Sequence, residues 1–149
     1  MSKADIQRLL EKERLLEQKI ELQQGLPFKH GWPWYAWARE FFESRNKMRL
    51  LVAANQISKS STQIRLALEW ATNQELWPLL WRTKPRQFWY LYPTATVASV
   101  EFEEKWKPEF LPQGKFKDDP VYGWKEEWKN KEIFAIHFNS QVSIYFKSY

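Results

Sequence analysis

The chain has 149 residues, no cysteine, 44% hydrophobic and 28% charged residues, and a formal net charge of +5. That balance belongs to a folded globular domain and excludes disulfides and thiolate metal centres. No apolar run approaches the ~18 residues of a membrane span and no signal-peptide core opens the chain, which with the missing cysteines predicts a protein of the reducing cytoplasm.

Residues 2–22 read as a charged amphipathic helix, with Ile6, Leu9, Leu10, Leu16 and Ile20 on one stripe and Ser2 and Asp5 at cap positions. So thin a stripe predicts an arm that packs on a neighbour or a partner. Gly25, Pro27 and Gly31 break the pattern, so residues 1–24 are expected to form a helical arm and residues 25–149 a domain. Residues 34–43 read as a second helix with Trp34, Trp37, Ala38, Phe41 and Phe42 on its apolar side. Those rings have two uses: packing on a sheet, the simpler one, or walling a nucleotide base.

Next comes the run Met48-Arg49-Leu50-Leu51-Val52, read as a strand over residues 48–53, and then Ala53, Ala54, Asn55, Gln56, Ile57, Ser58, Lys59, Ser60 and Ser61. A phosphate loop reads Gly, four residues, Gly, Lys, then Ser or Thr, between a strand and a helix. With Lys59 and Ser60 in the last two places, Ala53 and Ser58 occupy the two glycine places. Residues 60–73 follow at helical period, so strand, loop and helix stand in the required order. The loop works by curling backbone N–H groups around phosphate oxygens at the positive end of the helix. Ser58 is the anomaly, since glycine there lets the backbone approach the phosphate and take torsions that side chains disfavour. The alternative is an ordinary β-α turn with a solvated lysine.

Residues 87–92 are a second strand, continuously aromatic and so expected to be buried on both faces of a parallel sheet. Thr96 is expected to cap a helix through Trp106 that ends at Lys107 and Pro108. Residues 133–138 and 142–146 have hairpin spacing. The sheet is expected to be partly built from residues 48–53 and 87–92, giving an α/β fold with flanking helices and a C-terminal hairpin. No apolar strand ends in an acidic pair suited to Mg²⁺: Asp118-Asp119 follows a polar stretch, and Glu126-Glu127 reads as helical. His30 and His137 lie far apart and predict no metal cluster.

In the order Trp32-Pro33-Trp34, Ala53 to Ser61, Tyr92-Pro93-Thr94-Ala95-Thr96 and Ala135-Ile136-His137-Phe138-Asn139-Ser140, the chain resembles the start of the large terminase subunit of tailed bacteriophages and prophages. The similarity runs from about residue 26 to residue 149. It implies a truncated P-loop NTPase sheet, part of an ATP-driven motor that packages double-stranded DNA into procapsids in the cytoplasm of a bacterial host. By position, Lys59 resembles the lysine on the β- and γ-phosphates of ATP, and Ser60 the hydroxyl on Mg²⁺. Ala53, Ala54, Asn55, Gln56, Ile57, Ser58 and Ser61 would line the loop. The family has glycine where Ser58 stands, and glycine is expected in place of Gln141. Its acidic metal-binding strand and its nuclease domain are not in these residues, so ATP binding is expected to be weak and hydrolysis negligible. A sheet edge left unpaired after the last strands is expected to invite self-association.

Two other readings stand beside this one. The chain is then an interaction module, whose arm or sheet edge binds a small terminase subunit, a portal or a host protein that senses phage. Or it binds nucleic acid without nucleotide chemistry, through Arg82, Lys84, Arg86 and nearby aromatics, although its Lys and Arg are spread along the chain.

Overall fold

Ser2 and Asp5 start the first helix by a reciprocal pair of bonds: the Asp5 N–H donates to Ser2 Oγ at 3.2 Å and the Ser2 N–H to Asp5 Oδ2 at 3.0 Å. In the computed structural model, which describes residues 1–52 and 59–149, this helix is α1, Lys3–Gly25. Its stripe of Ile6, Leu9, Leu10, Leu16 and Ile20 stays exposed along the whole length. Only its last turn is tied down: the Gln113 N–H donates to the Gly25 carbonyl at 2.8 Å, and Lys115 pairs with Glu21. A wide π-helical turn, Pro27–Gly31, then buries Phe28 completely.

Two helices follow, α2 (Ala36–Glu43) and α3 (Lys59–Thr72), then the short α4 (Pro78–Arg82). Strand β1 is Gln87–Tyr92 and helix α5 is Ala95–Glu101, capped by Thr94, whose hydroxyl accepts the Val97 N–H at 3.1 Å. The cap therefore stands two residues before the expected Thr96. Beyond α5 the chain widens into π-helical turns over Phe102–Phe110, running through Pro108 where the sequence predicted an end. These turns bury Phe102, Trp106 and Phe110.

Strands β2 (Trp124–Lys129), β3 (Glu132–Phe138) and β4 (Ser143–Ser148) complete one four-stranded sheet of order β1-β4-β3-β2. β1 runs parallel to β4, and β4-β3 and β3-β2 are antiparallel. The core lies on one face, where Trp124, Ile133, Ile136, Ile144 and Phe146 meet Ile64 and Leu68 of α3 and Phe102 and Trp106 of the wide helix.

Mixed α/β architecture with flanking helices matches the sequence reading, and so does the hairpin of β3 and β4. Four details differ. Residues 48–52 form no strand, and Met48, Leu50 and Val52 are more than four-fifths exposed. Arg49 instead turns back, donating to the Phe41 carbonyl at 3.1 Å and lying 5.5 Å from the Trp70 ring, which fixes the segment as a connection. An extended stretch with no partner leaves its backbone groups to water and gains no ladder. Residue 53 lies outside the described residues.

β1 is not buried on both faces. It is an edge strand that alternates half-buried and exposed residues, with Trp89 65% and Leu91 52% exposed. The last strand is not an edge either: β4 sits between β1 and β3, so among the described residues the edges are β1 and β2. Glu126 and Glu127 lie on β2, not on a helix. Asn130 and Lys131, both with positive φ (51° and 64°), close a two-residue hairpin that aligns Trp124-Lys125-Glu126-Glu127-Trp128 with β3.

Candidate functional site

α3 is described from Lys59 to Thr72, with Lys59, Ser60 and Ser61 at the N-terminal end of its described residues. The macrodipole of a helix makes its N-terminal end electropositive. Ser60 is exposed, and Lys59 and Ser61 are partly buried. The expected loop residues Ala53, Ala54, Asn55, Gln56, Ile57 and Ser58 lie outside the described residues. Of the nine loop positions taken from the sequence, the structure thus brings three together at that end of α3.

Beside that end is a slot of about 100 Å³ lined by Trp32, Pro33, Trp34 and Tyr35 on one side and by Ser61, Thr62 and Arg65 on the other. Arg65 is what holds it. Its side chain is buried yet donates to three carbonyls, Phe28 at 2.8 Å, Trp32 at 3.0 Å and Pro33 at 3.4 Å. The guanidinium also lies 3.6 Å from the Trp34 ring centroid, a close cation–π contact. Burial pushes Arg65 down to about 10, which still leaves it fully charged at neutral pH. One turn further, the buried Glu69 carboxyl is pushed up by burial, with Lys29 and Arg65 pulling the other way. Thr62, Arg65, Glu69 and Thr72 form one buried polar stripe on a helix whose other buried positions are apolar.

The sequence reading passed over Arg65 and Glu69. Their signal was present as a polar spacing of 3, 4 and 3 inside an otherwise apolar helix, which periodicity counting of apolar residues ignores.

Such a slot can hold a flat ring against Trp34, with the α3 N-terminus at hand for an anion. The Mg²⁺ half of the chemistry has less to stand on. Among the described residues no group of three or more His, Asp or Glu is placed to hold a metal ion. Ser60 alone is one weak ligand, so the described donor set does not fit a dedicated metal centre.

The second basic set from the sequence is not one surface. Arg82 and Lys84 are exposed, whereas Arg86 turns inward, donating to the Ser140 carbonyl at 3.3 Å and facing the Trp81 ring at 5.5 Å.

A further polar chain, also unforeseen, crosses the sheet. His137 Nε2 lies 2.6 Å from Glu127 Oε2 and His137 Nδ1 2.7 Å from Ser143 Oγ. A carboxylate only accepts, so Nε2 donates to Glu127 and, in the neutral ring, Nδ1 accepts from the Ser143 hydroxyl. That hydrogen bond holds the Glu127 carboxyl below the usual carboxylate range. The chain has the composition of an acyl-transfer triad, but Ser143 is mid-sheet and its N–H is committed to the Arg86 carbonyl at 2.9 Å. It therefore does not supply the backbone donor an oxyanion needs beside the nucleophile.

No protein-family model, no curated protein and no solved structure matches this chain.

Proposed function

We propose that the chain is a nucleotide-binding region of terminase type, which takes the phosphates of ATP at the start of α3 and the base in the slot at Trp34. The observation that supports this most is that Ser61, two residues after Lys59 on α3, lines the Arg65-braced aromatic slot. The strand half of the motif has no such support, since residues 48–52 form no strand. In this reading DNA packaging into procapsids belongs to the full motor, and ATP and Mg²⁺ are its cofactors. The chain itself binds nucleotide weakly, because Ser58 stands where the motif has the glycine that lets the backbone approach a phosphate, and turns it over negligibly.

Calorimetry of Mg²⁺-ATP, run beside a phosphate-release assay, tests this. Ser58→Gly is expected to tighten binding about tenfold, or about 1.4 kcal/mol, by letting the backbone approach the phosphate. Lys59→Ala in that background abolishes it by removing a charge-assisted contact. Phosphate release stays near background in all three proteins. Binding that ignores Lys59, or rapid Lys59-dependent release by the unmodified chain, contradicts the reading.

One observation favours a second role. The exposed apolar stripe of α1, on a helix anchored only at its last turn, fits a partner helix and so an interaction module.

A further inference from the structure

The sheet has a second face that the core does not use. Cross-strand partners share a face, so the register places Trp89 beside Tyr145, Leu91 beside Lys147, and Ser143 beside both Gln87 and His137. On β2 the same face carries Lys125, opposite His137, and Glu127, opposite Ala135. The bulge between Glu127 and Trp128 adds Phe134, whose ring meets Tyr145 edge-on at 5.3 Å. Lysines bracket these rings. Lys129 Nζ is 3.5 Å from the Phe134 centroid, and Lys147 Nζ is 5.2 Å from Phe134 and 6.0 Å from Trp89.

Such a face is unusual for water. Trp89 is 65% exposed and Leu91 52%, on a strand that ends the sheet among the described residues. Its charge leans positive. Lys125, Lys129 and Lys147 outnumber Glu127 and Glu132, the cross-strand partner of Lys129, and the Glu127 carboxylate already accepts from His137 and pairs with Lys129 at 3.6 Å. A cavity of about 310 Å³ opens beside Phe134, Lys129 and Lys147 and reaches through to Ala95 and Ala98 of α5 and Phe146 on the core side. That volume lies at the lower end of the range for small-molecule sites.

We infer that this face binds a single-stranded polynucleotide, its bases stacked on Trp89, Tyr145 and Phe134 and its phosphates drawn to Lys125, Lys129 and Lys147. Flat rings on a four-stranded sheet accept any unpaired base, because every base has a π-face, and lysines at their margins neutralise the backbone. A duplex hides its bases and would meet only the lysines. An apolar protein partner would suit Trp89 and Leu91 but leave three lysines against its surface, so the charge favours a polyanion over a second copy of the chain. The inference does not rest on nucleotide binding at α3, which packs on the opposite, core face of the sheet.

Anisotropy of fluorescein-labelled dT20 and rU20, titrated with the full chain at 50 and 200 mM salt, tests it. The two strands share the recognised chemistry, and the tighter one identifies the source. Binding at 50 mM salt is expected to weaken at 200 mM, as released counterions require. Trp89→Ala and Lys147→Glu should each weaken it about tenfold. Both positions lie on the open face, and unchanged melting curves would confirm folded variants. A 20-base-pair duplex should bind at least tenfold more weakly, and inorganic polyphosphate of equal charge should compete poorly because it has no bases.

Four results would overturn the inference: no binding at 50 mM salt, equal competition by polyphosphate, affinity unchanged in both variants, or a dimer by light scattering that Trp89→Ala disperses. The last would make the occupant a second copy of the chain.

Discussion

Arg65 and Glu69 sit one helical turn apart inside α3, and the environment treats them differently. Arg65 spends its donors on the carbonyls of Phe28, Trp32 and Pro33 and keeps its charge, because each lost contact with water is replaced. Glu69 has the charges of Lys29 and Arg65 nearby, yet burial outweighs them and raises its carboxyl above 4.5. The folded state therefore holds the Glu69 proton more tightly than the unfolded chain does. Stability from this group is fully present below the unfolded value of 4.5 and is lost as pH rises through the raised native value. Glu69→Gln removes that loss. Its melting temperature should exceed wild type at pH 7, converge with it near pH 4, and vary less between the two. A variant less stable than wild type at pH 7 would mean that attraction to Lys29 and Arg65 outweighs burial. Neither residue stood out in the sequence, because α3 was recognised by Ile64, Leu66, Ala67, Leu68 and Ala71. Lys59, by contrast, stood out in the sequence, because the loop frame and the helical period met at that residue.

Among the elements, the hairpin of β3 and β4 was readable from its apolar runs, and its turn carries a strain the sequence also signalled. The Gln141 N–H donates to the Phe138 carbonyl at 2.9 Å, and Gln141 itself stands at φ +69°. Side chains disfavour that left-handed region by roughly 1–2 kcal/mol. The resemblance had called for glycine at this place. Gln141→Gly should raise stability by about 1 kcal/mol, relief of strain being partly offset by the freer unfolded chain. Urea unfolding would register it as a higher midpoint at unchanged slope. A lower midpoint would show that the Gln141 side chain holds the turn by contacts that outweigh its torsion.

The strand expected at residues 48–53 failed for a different reason. Apolar composition marks a segment that wants burial, but a strand exists only where a neighbour takes its hydrogen bonds. Arg49 gives that segment another anchor, in Phe41 and Trp70. The second hairpin was hidden likewise. Trp124-Lys125-Glu126-Glu127-Trp128 has charges at its centre, although alternation puts both tryptophans on the core face, with Glu126 between them paired to Lys107.

At the scale of the whole molecule the sheet divides the protein into two sides. One side carries the core, α3 and the slot braced by Arg65. The other presents aromatic rings among lysines to solvent, and the net charge of +5 suits polyanions on either side. α1 projects with its apolar stripe uncovered. No helix among the described residues is long and apolar enough to cross a membrane. The α/β class followed from alternating strand and helix patterns. Strand order did not, because it depends on which edges pair across long stretches of chain.

The central claim is that one nucleotide bridges two sequence-distant places, the N-terminal end of α3 and the slot at Trp34. Titration of the isotope-labelled chain with a non-hydrolysable ATP analogue, followed by backbone amide and indole NMR shifts, observes both places at once. The amides of Lys59, Ser60, Ser61 and Thr62 and the indole signals of Trp32 and Trp34 should shift together along one binding curve, and Lys59→Ala should remove both sets. Shifts confined to other residues, or none at millimolar analogue, would contradict the account.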